Sequence, residues 1–309
     1  MTSHTVTIQS TGDTFTVTEN QPILDAALEQ GLLLPYGCRD GACGSCKGRI
    51  VSGKIEYPER ELNGISAEEM AAGSALFCQA RALTDLVIDA RLPDTPADIP
   101  VRKLPCRVHR LEKLNHDVMR LYLKLPGSER LQFLAGQYID ILLGNGKRRS
   151  FSLANAPHDD DCLELHIRYY KGGVFSEMAF HGLNENTLLR LEGPYGNFCF
   201  REESDRPIIM VAGGTGFAPV KGIMEHILAG GVERPIYFYW GARRRADLYL
   251  DELPRAWAEK EPLITYRPVL SGAAPEDDWH GRTGLVHEAV LDDMKDLSGY
   301  DVYACGSGG

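Results

Sequence analysis

The chain has 309 residues, 43% hydrophobic and 25% charged, with 32 glycines and 17 prolines. This is a globular composition that excludes collagen-like, coiled-coil and disordered chains, and at about 150 residues per domain it suggests two domains or three small ones. Thirty-three basic against 43 acidic residues give a net charge of −10, which speaks against a nucleic-acid partner. 

No apolar run approaches the ~18 residues of a membrane span; Pro207–Ala212 is about the longest solid one. The start, MTSHTVTIQSTGD, has neither the basic residues nor the apolar stretch of a secretory signal. The expectation is a cytoplasmic protein without a membrane partner. Residues 1–95 hold 7 basic and 13 acidic side chains, so −6 of the −10 lies in the first third. That surface is either solvated for solubility or turned towards a basic protein. Four of the 8 cysteines (Cys38, Cys43, Cys46, Cys78) fall early, while Cys106, Cys162, Cys199 and Cys305 are scattered singly. Such scatter fits a reducing compartment rather than a disulfide framework.

In chain order, alternation at Thr5–Ser10 and again at Phe15 and Val17, around Thr11-Gly12-Asp13, predicts a β-hairpin. Leu24, Ala27 and Leu28 form the apolar face of a helix that ends at Gly31. A Gly- and Cys-rich loop occupies 37–48. Ser66-x-x-Glu69 is a capping box for a short helix ending at Gly73, and a strand over 86–91 closes this part. Three prolines between Leu92 and Pro100 mark a semi-rigid linker. Short alternating stretches follow (118–125, 138–143, 163–169), divided by Gly, Asn and Pro turns, and predict an antiparallel barrel. Leu191–Phe198 reads as the turn leading out of it. Beyond Pro207 strands at 207–212, 236–240 and 264–270 alternate with helical segments at 218–229 and 247–260. That rhythm predicts a parallel sheet with helices on both faces.

The cysteine spacing carries the strongest chemistry. Cys38-x4-Cys43-x2-Cys46 with Cys78 later is the ligand spacing of a plant-type [2Fe–2S] cluster. Glycines at 37, 41, 44 and 48 let a loop wrap closely and aim N–H groups at sulfur. A thioredoxin-like Cys43-Gly-Ser-Cys46 pair lacks a surrounding βαβ pattern, and zinc prefers two matched pairs.

In the barrel, Lys147-Arg148-Arg149-Ser150-Phe151-Ser152 offers an arginine for a pyrophosphate, a ring for stacking and a hydroxyl donor. Taken alone it also reads as a solvated strand edge. Lys171-Gly172-Gly173-Val174-Phe175-Ser176 is a small-residue turn suited to backbone approach to phosphate. Gly213-Gly214-Thr215-Gly216-Phe217-Ala218-Pro219 links a strand to a helix, as a tight turn or as a phosphate site at a helix N-terminus.

The order of these motifs resembles the ferredoxin–NAD(P)H reductase superfamily with an N-terminal [2Fe–2S] domain. The resemblance implies a β-grasp ferredoxin domain at 1–92, a linker at 93–100, an antiparallel β-barrel FAD domain at 101–203 and a parallel α/β NAD(P) domain at 204–309. By the resemblance Arg149 contacts the FAD pyrophosphate, Phe151 stacks on the flavin where the family has Tyr, and Ser152 hydrogen-bonds the hydride-accepting nitrogen. Gly172, Gly173, Val174 and Ser176 hold phosphates, with Ser150 and His166 also at the cofactor. Gly214, Thr215, Gly216, Arg243, Cys305 and Gly306 line the nicotinamide nucleotide's pocket, with Ser152, Thr215 and Cys305 beside the hydride transfer. Cys38, Cys43, Cys46 and Cys78 hold the cluster. Cys305 also reads as a buried strand-end thiol.

The implied activity is an oxidoreductase relay from NAD(P)H to FAD to [2Fe–2S] to a protein acceptor. Runs such as RRSFSLANAPH, RLEGPYGNF and DRPIIMVAGGTGFAP resemble bacterial CDP-6-deoxy-Δ3,4-glucoseen reductases and the reductase components of mono- and dioxygenases. The acceptor is then a dehydrase or an oxygenase component. A free-flavin reductase needs no one-electron exit. Arg243-Arg244-Arg245 reads as a 2′-phosphate site or, for Arg244 and Arg245, as surface charge; the family's NADP-selective pattern has a Ser-Arg pair after the third strand, where this chain has Ser271-Gly272 with Asp277 and Asp278 close behind, which leans towards NADH. Because the family continues beyond the Cys305-Gly306 turn, the last domain is expected to be C-terminally truncated at Ser307-Gly308-Gly309, which allows an iron–sulfur module with a non-functional reductase as a further reading.

Overall fold

Alternating side chains build the first unit. In the computed structural model, which describes all residues except 1–2, 31, 33, 37–40, 59–61, 91–98, 127–128, 130, 145, 232 and 307–309, Val6 and Ile8 of strand β1 (Ser3–Ile8) face inward with Phe15 and Val17 of β2 (Thr14–Thr18). The two strands pair antiparallel as the expected hairpin. Helix α1 (Ile23–Glu29) buries Ile23, Leu24, Ala26 and Ala27. There follow β3 (Lys47–Ser52), β4 (Ile55–Glu56), helix α2 (Ala67–Ala71), β5 (Ser74–Leu76), β6 (Arg81–Ala82) and β7 (Leu86–Asp89). The sheet order is β2-β1-β7-β3-β5, with β1 parallel to β7 and β4 paired with β6. A mixed sheet with a helix after its first hairpin is the β-grasp arrangement. The capping box forms, since Glu69 N–H donates to Ser66 Oγ and Ser66 N–H to Glu69 Oε2. Most of the expected linker, Cys38, and Ser307 to Gly309 lie outside the described residues.

The chain divides into two compact units, Met1–Pro100 with Tyr195–Asn197, and Val101–Pro194 with Phe198–Gly309. The second holds the barrel and the parallel sheet together. Its barrel strands are β8 (Arg102–Lys113), β9 (Val118–Lys124), β10 (Tyr138–Leu142), β11 (Arg148–Ser152), β12 (Leu163–Arg168) and β13 (Leu188–Tyr195), with helix α3 (Val174–His181) between the last two. They run in the order β11-β10-β13-β8-β9-β12, and a Leu153–Leu165 bridge closes β11 onto β12. Leu191–Tyr195 is strand rather than turn. Gly193 pairs with Arg102, and a side chain there would meet Ile139 Cγ2 at 2.8 Å, so glycine lets the strand continue against β10. The turn expected at 171–176 is the start of α3, whose helical pattern the Gly172-Gly173 pair conceals.

The parallel sheet comprises β14 (Ile208–Gly213), β15 (Ile236–Ala242), β16 (Ile264–Leu270), β17 (Arg282–Thr283) and β18 (Asp301–Cys305), ordered β17-β16-β15-β14-β18. Helices α4 (Phe217–Gly230) and α5 (Glu252–Lys260) contribute to the core on one face, and α6 (Val286–Asp293) covers the other. The helix expected from 247 begins at 252, because Arg245–Asp247 forms a 3-10 turn instead. No helix among the described residues is long and apolar enough to cross a membrane.

Candidate functional site

Cys43 and Cys46 lie in the loop before β3, and Cys78 in the turn after β5. Phe77 N–H donates to the Cys46 carbonyl at 3.1 Å and Leu24 N–H to the Phe77 carbonyl at 2.9 Å, which pins the turn to the loop and to α1. Cys46 and Cys78 are each 3% exposed. Their thiols interact directly, and this hydrogen bond, then burial, pushes the Cys78 thiol up. Metal ligation reverses that preference, because iron binds thiolates. Gln79 Nε2 points at Cys78 Sγ from 3.8 Å. Gly64 lies directly on the loop: its N–H donates to the Gly41 carbonyl at 2.9 Å, and a side chain there would stand 2.7 Å from the Gly44 nitrogen. A tightly wrapped loop with convergent sulfurs fits an iron–sulfur cluster.

In the barrel, β11 pairs antiparallel with β10, placing Ser152 opposite Tyr138 and Arg149 opposite Ile141. Arg149 is exposed, with Nη1 on the Arg148 carbonyl at 2.7 Å. The half-buried Phe151 packs on the buried Phe175 of α3, ring centroids 5.1 Å apart. Thus the strand and the helix start meet. Gly173 caps α3 without any side-chain cap bond, leaving the helix N-terminus to backbone N–H groups. A side chain at Gly173 would stand 2.6 Å from Ser176 Oγ. The Glu177 carboxylate accepts Gly172 N–H at 3.0 Å, while the N–H groups from Gly173 onward, at a helix start beside an arginine strand, suit a pyrophosphate. Two hydroxyls are otherwise engaged. Ser150 Oγ donates to Asp140 at 2.7 Å, and Ser176 Oγ accepts Tyr170 N–H at 3.1 Å.

Between β14 and α4 the Gly214–Gly216 turn lies against the end of β18. Ala212 pairs with Cys305, and a side chain on Gly216 would overlap the Cys305 carbonyl. The two ends of the turn, Gly213 and Gly216, are thereby brought against Cys305 and Gly306, with Thr215 between them. Trp240 Nε1–H donates to the Gly214 carbonyl at 3.0 Å, fixing the turn from below. Arg243 lies along Gly272 at the end of β15, a side-chain position on Gly272 being 3.0 Å from its Cγ.

Comparison with known proteins fits this geometry. Residues 6–83 match the 2Fe-2S iron-sulfur cluster binding domain, 105–200 the oxidoreductase FAD-binding domain and 210–309 the oxidoreductase NAD-binding domain. The chain is 41% identical over 302 residues to a CDP-6-deoxy-L-threo-D-glycero-4-hexulose-3-dehydrase reductase of Yersinia pestis, covering 98% of this chain and 90% of that one. It belongs to the iron–sulfur flavoprotein reductases of the ferredoxin–NAD(P)H reductase superfamily. Reductase component 1 of a terephthalate 1,2-dioxygenase from Comamonas is 34% identical over 99% of this chain and 90% of its own. The crystal structure of the Amycolatopsis cytochrome P450 reductase GcoB superposes with a TM-score of 0.75 at 33% identity, covering 97% of this chain and 90% of that one. The reductase is thus an oxidoreductase with FAD, a [2Fe–2S] cluster and a nicotinamide nucleotide as its redox groups, linked as an electron-transfer chain.

The reductase also holds groups that sequence reasoning did not find. On β12, Leu163, Leu165 and Ile167 point into the barrel core, so Glu164, His166 and Arg168 share the opposite face. That face meets the parallel-sheet lobe. Glu164 Oε2 pairs with Lys221 Nζ of α4 at 3.1 Å, and Lys221 also donates to the Ala154 carbonyl at 3.0 Å. His166 lies 2.9 Å from Glu164 through Nε2 and 3.0 Å from Tyr249 Oη through Nδ1. Burial lowers the His166 pKa, so the neutral ring donates from Nε2 and accepts at Nδ1. Burial pushes the Glu164 carboxyl up, but His166 and Lys221 outweigh it and hold it below the usual range. Both nitrogens of His166, expected at the cofactor, are thus engaged by protein groups. Arg168, held by Asp117 at 2.9 Å, brings Nη1 within 3.2 Å of where a Gly214 side chain would stand. Its only signal in the sequence is its place two residues after His166.

Proposed function

We propose that this reductase supplies electrons to a dehydrase acting on a CDP-linked deoxysugar, as the name of its Yersinia relative describes for that protein. The observation that carries this reading is 41% identity over 98% of the chain, against 34% for the terephthalate dioxygenase reductase. The oxygenase-component reading rests on the latter similarity. We place the protein in the cytoplasm and divide the chain into 1–92, 93–100, 101–203 and 204–309 as read from the sequence.

When bound, FAD accepts two electrons as a hydride and gives them up singly, as a one-electron cluster requires. Arg149 would neutralise pyrophosphate charge, and the backbone N–H groups from Gly173 onward, at the helix end, would hold it. Gly172 precedes them as part of the same turn. Phe151 supplies a stacking face, and Ser152 a hydroxyl for the flavin's reacting edge. Ser150 and Ser176 shape the strand and turn through the bonds described above. Thr215, Gly216, Cys305 and Gly306 form the wall of the nicotinamide pocket, with Gly214 and Arg243 towards the rest of the nucleotide. Cys38, Cys43, Cys46 and Cys78 bind the cluster.

The test is reconstitution. Purified reductase, NADH and the dehydrase are mixed anaerobically, with a terephthalate dioxygenase oxygenase component in a parallel reaction. Turnover with the dehydrase alone is the expected result. Flavin bleaching by NADH with turnover only in the oxygenase mixture overturns the dehydrase assignment.

A further inference from the structure

A dinucleotide on a parallel α/β sheet lies across the carboxyl ends of the strands. The strand beside the Gly-rich turn supplies the group near its adenosine ribose, an acid for a free 2′-hydroxyl or an arginine for a 2′-phosphate. Here that strand is β15, which pairs with β14 and runs out into Arg243-Arg244-Arg245. On charge alone this is a 2′-phosphate site. The structure shows that two of the three guanidinium groups are already taken.

Arg244 Nε donates to Asp277 Oδ2 at 2.6 Å and its Nη2 to Glu276 Oε2 at 3.1 Å. Arg245 Nη1 donates to the Asp277 carbonyl at 3.1 Å, and its backbone N–H to Asp277 Oδ1 at 3.3 Å. Asp277 is only 9% exposed and also accepts Ala274 N–H at 2.9 Å. It is therefore a fixed carboxylate gripping one arginine by its side chain and the next by its backbone. Freeing Arg244 for a phosphate would leave a shielded carboxylate without its cation, which is costly. A 2′-phosphate reaching for Arg244 would also approach the carboxylates of Glu276 and Asp277 that hold it, two like charges.

We propose that Asp277, assisted by Glu276, sets the coenzyme preference of this reductase for NADH by withdrawing Arg244 and Arg245 from the 2′ position. The proposal rests on the reading of this lobe as the nicotinamide-nucleotide site. Arg243, exposed beside Gly272, stays available to either nucleotide.

Calorimetric titration of the FAD- and cluster-loaded full chain with ADP-ribose and with 2′-phospho-ADP-ribose tests the proposal without turnover. The kcat/KM ratio for NADH over NADPH gives a second readout. Wild type is expected to bind ADP-ribose at least about ten-fold tighter, the scale of one charged hydrogen bond. Asp277→Ala should move the ratio about ten-fold towards the phosphorylated ligand, and Arg244→Gln in that background should abolish the gain. Arg244→Gln alone should leave the wild-type ratio in place, because Arg244 is already engaged. Tighter wild-type binding of the phosphorylated ligand, or its weakening by Arg244→Gln alone, overturns the proposal. Equal binding of the two ligands by wild type overturns it too, while leaving the nucleotide site intact. Failure of both ligands to bind removes the site reading itself. If Asp277→Ala does not fold, wild type and Arg244→Gln still decide.

Discussion

In the first unit three of the four cysteines proposed to hold the cluster fall between positions 38 and 46, and the fourth sits on a turn whose Phe77 N–H is bonded to the Cys46 carbonyl. In the second unit the groups around the Gly214–Gly216 turn arrive from four elements: Arg168 from β12, Trp240 from β15, Cys305 from β18 and the turn itself. The first site is local and needs its loop. The second is dispersed and needs the packing of barrel against lobe, which passes through the buried charges of Glu164 and Lys221 and the buried His166 ring. The two sites should therefore fail in different ways.

The largest effect is expected at the local site. Cys78→Ser removes a buried thiol proposed as a cluster ligand, so the iron–sulfur absorption should disappear and one-electron transfer to an external protein acceptor should fall by roughly a hundred-fold or more, because metal binding and loop order are coupled. Flavin bleaching by NADH should persist. Loss of both chromophores together would show that the local site is not independent of the dispersed one.

At the dispersed site the corresponding lesion is Lys221→Met. It leaves Glu164 buried without its closest cation, a change that costs about 3–5 kcal/mol when one partner of a buried pair is removed. Denaturant-induced flavin release should move to lower concentration, with the unfolding free energy down by that amount, and Glu164→Gln in the same background should restore part of it. An unchanged midpoint would mean that the pair does not hold the lobe to the barrel.

The same contrast explains what the sequence disclosed. Cys38 to Cys46, Arg149 to Ser152 and Gly213 to Pro219 are contiguous runs whose spacing is itself the chemistry, so they could be read directly. Lys221 and Glu164 are 57 residues apart, and each alone looks like a solvated charge on a helix or strand. His166 is placed at the cofactor only by the resemblance. Alternation along β12 turns it to the face shared with Glu164, where Tyr249 takes its other nitrogen. The clamp on Arg244 escaped for the same reason, since Asp277 is 33 residues away and only folding brings it close.

A smaller, pH-dependent effect belongs to the dispersed site alone. His166 has its pKa lowered from 6.5 by burial. Below that pH the unfolded chain takes up a proton that the folded chain refuses, so stability is full above about 6.5 and falls as pH drops towards the folded value. The slope for one such group is at most about 1.4 kcal/mol per pH unit. Glu164, whose carboxyl is held below 4.5, contributes fully above that pH and loses its contribution as the pH falls from there through its lowered value. Flavin-release midpoints measured from pH 8 to pH 5 should fall below 6.5 in wild type and lie flatter in His166→Phe. Equal slopes in the two proteins would assign the titration elsewhere.

The smallest effect returns to the first unit. Helix α2 has five residues and buries none of them, so it depends on its ends. Ser66 Oγ accepts Glu69 N–H at 3.2 Å, and the Glu69 carboxylate reaches Lys47 Nζ at 2.6 Å, one residue after Cys46. Ser66→Ala should cost about 1 kcal/mol, the usual worth of an N-cap side chain. Because the cap is tied to the residue after a cluster ligand, the loss should be seen as earlier bleaching of the iron–sulfur bands in denaturant. Flavin release should stay in place, since its site draws on groups of the other unit. If Ser66→Ala moved flavin release as far as cluster bleaching, the two sites would unfold as one, and the division into a local and a dispersed site would lose its energetic meaning.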